Sequence, residues 1–180
     1  MTSRILTLLR GAVPACALVL ASSLAQAQLA IEITGAGANR MPVAVATFEG
    51  ESALPRSVTD VVRADLERSG LFKMVELGPG PMGADAPVDF ARVRSRGADA
   101  VAVGTVSPSG GRYQVQVRLH DTAKQVSLGG QAMVMSPNQY RTTGHRIADF
   151  IYEKPTGEPG VFSTRIAYVL KAGSRYELQI

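Results

Sequence analysis

Asp99-Ala-Val-Ala-Val-Gly-Thr-Val106 is an apolar run of strand composition, and the residues immediately after it decide the architecture. Ser109-Gly110-Gly111 makes a tight turn, after which Tyr113, Val115, Val117 and Leu119 alternate with other residues as far as Asp121. Two strands across a Gly-Gly tip form a β-hairpin, because the favoured two-residue turns need positive φ that glycine adopts without strain. Val126 to Met135 reads as a third antiparallel strand of the same meander. A meander of this kind has an apolar face to bury, so the covering layer has to come from elsewhere in the chain.

Upstream, Met41 to Phe48 (Met-Pro-Val-Ala-Val-Ala-Thr-Phe) is a more uniformly apolar strand, as a sheet centre requires. After Gly50 the period changes. Val58, Val61, Val62 and Leu66 fall on one face of a helix, with Pro55 suited to its first turn and Gly70 to its end. Asp60, Asp65 and Glu67 are expected on the solvated side of that helix. Phe72 to Leu77 reads as a short strand, and Gly78 to Pro87, with three glycines and three prolines, as a loop. Asp89 to Arg96 is a short helix closed by Gly97.

Downstream lies the strongest helix start in the chain. Ser136-Pro137-Asn138-Gln139 supplies an N-cap serine, a proline at the first position and a glutamine at the third, a capping-box arrangement. Tyr140, Ile147, Ala148 and Ile151 then line one face, and Lys154-Pro155-Thr156-Gly157 ends the helix. Gly157 to Gly160 is linker-like, and Thr164 to Leu170 and Tyr176 to Ile180 are strands joined around Gly173. The order predicts one α/β (α+β) domain, a mixed β-sheet with helices mainly on one face, followed by a separate hairpin.

The first 27 residues read as a secretory signal peptide. Arg4 and Arg10 give a positive start, an apolar run extends from Gly11 to Leu24, and Ala25-Gln26-Ala27 fits a signal peptidase. The run falls short of the about 20 residues a membrane span needs, and Pro14 interrupts it. Cleavage is expected between Ala27 and Gln28, giving a soluble exported chain with no membrane insertion. That cut removes two arginines, so 17 basic residues face 15 acidic ones and the net charge falls from +4 to +2. Such a balance, without basic clusters among aromatics, argues against nucleic acid. The only cysteine, Cys16, leaves as well, excluding disulfides and thiol chemistry from the mature chain.

Catalytic patterns are absent. His120 and His145 belong to no HExxH motif, and no Gly-x-Ser-x-Gly elbow occurs. A Ser-His-Asp set stays open at this level, since its members need not be neighbours in sequence. Gly35-Ala36-Gly37 lacks the third glycine at a helix mouth that pyrophosphate binding requires. No catalytic, cofactor-binding or metal residues are therefore assigned, and a binding function is expected. Its best candidate is the new amino terminus: Leu29, Ile31 and Ile33 share one side of a strand, with Ala30, Glu32 and Thr34 between them. Such a strand can open the fold's own sheet or pair with a partner's edge.

Leu29-Ala-Ile-Glu-Ile-Thr34, Pro42-Val-Ala-Val-Ala-Thr-Phe48, Val62-Arg-Ala-Asp-Leu-Glu-Arg-Ser-Gly-Leu-Phe72 and Gly97-Ala-Asp-Ala-Val-Ala-Val-Gly104 together resemble the amino-terminal domain of the TolB family of the Tol-Pal system. Tyr140 to Gly157 resembles that domain's last helix, and Gly160 to Val169 with Tyr176-Glu-Leu178 resembles the opening of the family's β-propeller. The resemblance implies a non-enzymatic periplasmic adaptor that supports outer-membrane integrity and constriction during division. It implies that Gln28, Leu29, Ala30, Ile31, Glu32, Ile33 and Thr34 face the periplasmic domain of TolA, and that a propeller engages the lipoprotein Pal. The domain would span residues 28–156, with 157–180 as linker and first hairpin of an incomplete propeller. Because the sequence stops at Ile180, Pal binding is expected only where a propeller is present, and Ile166, Tyr168, Leu178 and Ile180 are expected to be exposed.

Two other classes remain at this level: a stand-alone outer-membrane assembly or cell-wall-regulator subunit on a similar domain, and a small periplasmic hydrolase using His120 or His145. Propeller sequence downstream of residue 180 would separate the first from the adaptor. Replacement of both histidines would test the second.

Overall fold

The structure, a computed structural model, describes residues 40–180. The signal segment and the strand expected at Gln28 to Thr34 lie outside the described residues. The meander forms as expected: β5 (Ala100–Ser109) and β6 (Arg112–Asp121) pair antiparallel, and β7 (Val126–Met135) continues on the far side of β6. Gly110 and Gly111 at the tip have φ of 55° and 76°, the conformation that made glycine necessary there.

β1 (Met41–Val45) pairs in parallel with β5 on one side and with β3 (Phe72–Met74) on the other. The result is a five-stranded mixed sheet in the order β3-β1-β5-β6-β7. The apolar run after Met41 does not stay one strand. It breaks at Ala46, and Thr47–Phe48 becomes β2, which pairs in parallel with β4 (Pro81–Met82). The segment from Gly78 to Pro87, expected to be loop throughout, thus contributes two residues to a small second sheet. Its prolines are compatible with that because a two-residue edge strand asks little of their missing N–H. The strand expected from Phe72 to Leu77 stops at Met74, and Leu77 is instead buried against the sheet's second face.

Helix α1 (Val58–Arg68) starts one turn later than Pro55 suggested: Ser57 is the N-cap, its Oγ accepting from Asp60 N at 2.9 Å. Helix α2 (Phe90–Ser95) is capped by Asp89, whose Oδ1 accepts from Arg92 N at 3.0 Å. The capping box forms, with Ser136 N donating to Gln139 Oε1 at 2.8 Å. It opens a short 3-10 turn that becomes helix α3 (Tyr140–Thr156). Pro155 lies inside the last turn of α3 rather than beyond it, and Gly157, at φ 73°, closes the helix.

Both sheet faces are covered, unequally. Val58, Val62 and Leu66 of α1 and Ile147, Ala148, Phe150 and Ile151 of α3 meet Val43, Val45, Ala100, Ala102, Val115, Val117 and Leu119 on one side. On the other, α2 contributes only Val93 to a smaller cluster with Ala44, Ala46, Leu77, Val101 and Val103. The expectation of helices mainly on one face is met. A last hairpin, β8 (Tyr168–Ala172) and β9 (Arg175–Gln179), forms its own two-stranded sheet.

Candidate functional site

The Gln28 to Thr34 segment that carries the binding expectation, and the Ala27/Gln28 junction, precede the described residues. The chemistry that can be judged in three dimensions is therefore that of the domain behind them.

The polar cluster with most catalytic character lies on the seam between α1 and α3. Asp65 does not face water, contrary to the expectation from sequence. It stands three residues beyond Val62 and next to Leu66, and its side chain is only 5% exposed. A carboxylate there needs partners, because an unpaired buried charge is expensive. It has two: Arg68 Nη2 donates to Oδ1 at 2.6 Å, and His145 Nδ1 stands 2.5 Å from Oδ2. His145 reaches it because Gly144 lets α3 press against α1. A Cβ on Gly144 would come within 2.7 Å of Val61 Cβ.

A histidine oriented by a buried carboxylate is two-thirds of a hydrolytic triad. The missing third is a nucleophile. Among the described residues, no hydroxyl hydrogen-bonds to His145, and Ser57 at the rim of the same groove already caps α1. Every bond the cluster makes fastens one helix to the other or stays within α1. His120 is in a different situation. It sits on the α2 side of β6, its ring edge-on to Phe90 at 5.9 Å, and its Nε2 is buried with no hydrogen-bond partner among the described residues. The two histidines lie in separate parts of the fold and form no joint site. Among the described residues no three His, Cys, Asp or Glu side chains converge as a metal site, and no helix is long and apolar enough to cross a membrane.

Sequence reasoning missed a second buried carboxylate. Glu51 accepts from Thr59 N at 3.2 Å, from Phe48 N at 3.3 Å and from the Thr59 hydroxyl. It therefore ties β2 to the amino-terminal turn of α1, where the helix dipole favours negative charge. Only its place just ahead of a helix start could have pointed to it.

Past α3 the chain is less free than a linker. Asp149 Oδ1 accepts from Phe162 N at 2.7 Å and Oδ2 from Ser163 N at 3.1 Å, while Gly160 lies so near Asp149 that no Cβ fits. Phe162 stacks edge-on against Tyr152, and Tyr152 against Phe72. Beyond this strap the expected apolar exposure is found: Ile166, Tyr168, Leu178 and Ile180 are 80, 51, 71 and 75% exposed. Tyr168 lies opposite Gln179 and Leu178 opposite Val169, so apolar side chains are exposed on both faces of the hairpin.

Comparison with known proteins assigns this framework. The profile of the TolB amino-terminal domain matches residues 29–128, from the amino-terminal segment through the first part of β7. The chain belongs to the TolB amino-terminal domain family. The Tol-Pal system protein TolB of Aromatoleum aromaticum is 62% identical over 167 residues, covering 92% of this chain and 39% of that protein. The TolB protein of Dechloromonas aromatica is 59% identical over 160 residues, covering 88% and 38% respectively. The crystal structure of TolB from Acinetobacter baumannii superposes with a TM-score of 0.64 at 29% identity, covering 78% of this chain and 35% of that one. The chain thus spans less than half the length of the TolB relatives it matches. Within this TolB domain, the buried polar clusters act as fasteners between elements.

Proposed function

We propose that this TolB-family chain is a periplasmic component of the Tol-Pal system that works by protein–protein binding. The similarity to Tol-Pal proteins at 59 to 62% identity across most of the chain is the observation that carries this reading. The domain supports it: His145 and the buried carboxylates of Asp65 and Glu51 are held in contacts between elements, and the terminal hairpin exposes several large apolar side chains.

In this reading the signal peptide is removed after Ala27 and the freed segment Gln28 to Thr34 engages the periplasmic domain of TolA, with backbone pairing supplying affinity and Leu29, Ile31 and Ile33 supplying the apolar side. Residues 28–156 are the platform for that segment. Residues 157–180 lead into propeller structure, and binding of Pal belongs to that propeller. The cellular outcome is support of outer-membrane integrity and of its invagination during division, without catalysis.

The deciding experiment is deletion of Gln28 to Ile33. Capture on immobilised TolA periplasmic domain should be lost, while the far-ultraviolet circular dichroism spectrum stays that of the intact domain. Unchanged capture would remove the segment from the binding site.

A further inference from the structure

His120 lies where the β6–β7 pairing is irregular: the register slips between Leu119, opposite Gly129, and His120, opposite Ser127. Its ring lies between the sheet and Phe90, the first residue of α2, and its sealed Nε2 finds no acceptor among the described residues. A buried polar atom left without a partner calls for an explanation.

Charges of both signs lie around it, and the one that bears on the imidazole is the Arg118 guanidinium. On its own strand Arg118 stands two residues away on the same face, ion-paired to the exposed Asp85 at 2.9 Å. From α2, Arg94 reaches across to Thr122 O at 3.5 Å. The α2 N-cap, Asp89, is exposed and bonded to Arg92 N. Asp121 and Asp99 line a cavity on the opposite side of the sheet together with Lys124. Opposite His120, β5 offers Val101 and β7 offers Ser127.

We propose that His120 is a proton-operated latch for α2. Neutral, the imidazole fills the space beneath Phe90 and completes the thin second layer. Protonated, it sets a second positive charge beside Arg118 with no partner for its buried Nε2, and α2 with the segment before it lifts from the sheet. Lifting uncovers Ala44, Ala46, Val101 and Val103, a small apolar face that is otherwise sealed. This adds a response to acidity, seated in the body of the domain and distinct from the partner-binding segment.

The direction of the response is fixed by the sign of the shift. Burial, and then the Arg118 guanidinium, hold the imidazole below its ordinary value of 6.5. The unfolded or lifted state then binds the proton more readily than the closed one. Closure is fully favoured above that ordinary value and weakens as the pH falls through it toward the lower value of the closed state.

The test is amide hydrogen exchange on the full protein between pH 7.5 and 5.0, with rates normalised to free-peptide values. Protection of Phe90 to Gly97 should fall by about tenfold or more across this range, while amides of Val115 to Leu119 hold theirs. His120→Phe should abolish the pH dependence and His145→Gln should leave it. Arg118→Gln keeps the imidazole and should move the midpoint to higher pH, so the proposal stays testable if His120→Phe does not fold. Protection of α2 that ignores pH, a pH dependence that survives His120→Phe, or a midpoint unmoved by Arg118→Gln would each overturn the latch.

Discussion

The two faces of the five-stranded sheet are covered by very different means. On one, α1 and α3 bring Val58, Val62, Leu66, Ile147 and Ile151 down on Val43 and Val45 of β1, Ala100 and Ala102 of β5 and Val115, Val117 and Leu119 of β6, and every one of those five helix residues is fully buried. On the other, a six-residue helix offers Val93 to a floor that includes Ala44, Ala46 and Ala98. Apolar burial stabilises in proportion to the area removed from water, so most of the folding free energy must come from the first face. The difference teaches where such a domain can move without coming apart. A layer held by few apolar contacts opens locally at a cost well below global unfolding.

Cavity-forming substitutions probe that inequality most strongly. Leu66→Ala, on the sheet-facing side of α1, should lower stability by about 3 kcal/mol in urea denaturation. Val93→Ala removes two methyl groups from the thin face and should cost about 1.5 kcal/mol. Equal losses at the two positions would mean that the faces share the load. A smaller effect is expected at the helix seam. Gly144→Ala gains about 1 kcal/mol of helix propensity but drives a methyl into Val61, an overpacking that costs about 1–3 kcal/mol. The net should be a loss of about 1 kcal/mol in thermal melting, and a stabilised variant would show that α3 can shift on α1. The smallest change belongs to Asp85→Ala, which breaks an ion pair with both side chains largely exposed. It should alter stability by less than about 1 kcal/mol and lose even that effect in high salt.

Much of the thick face was legible in the sequence, because its elements announce themselves locally. Apolar residues repeat at helical spacing in Val58 to Leu66, the Gly-Gly tip sets the β5–β6 register, and Ser136 to Gln139 carries its own cap. What escaped reading depends on partners distant in sequence. Asp65 looks like any helix carboxylate until α3 brings His145 to it from 80 residues away. Gly104 reads as a neutral strand residue, yet its missing Cβ makes room for the ring of Phe48. Pro81 signals a loop, and only the detour of β2 gives it a strand to pair with. For the binding segment the pattern Leu29, Ile31, Ile33 was visible at once. What it pairs with is a property of another surface, which no periodicity encodes.

The strap at Asp149 has a mechanical consequence. The chain that leaves α3 is tied by Phe162 N and Ser163 N to the middle of that helix, not to its last turn. Tension arriving from beyond Ser163 therefore bypasses the helix end at Thr156 and first loads the two hydrogen bonds to Asp149, on the helix that covers the thick core. A pull on that side is delivered to a helix whose Ile147, Ala148 and Ile151 are fully buried, and the slack between Gly157 and Val161 is not drawn out until both bonds have failed.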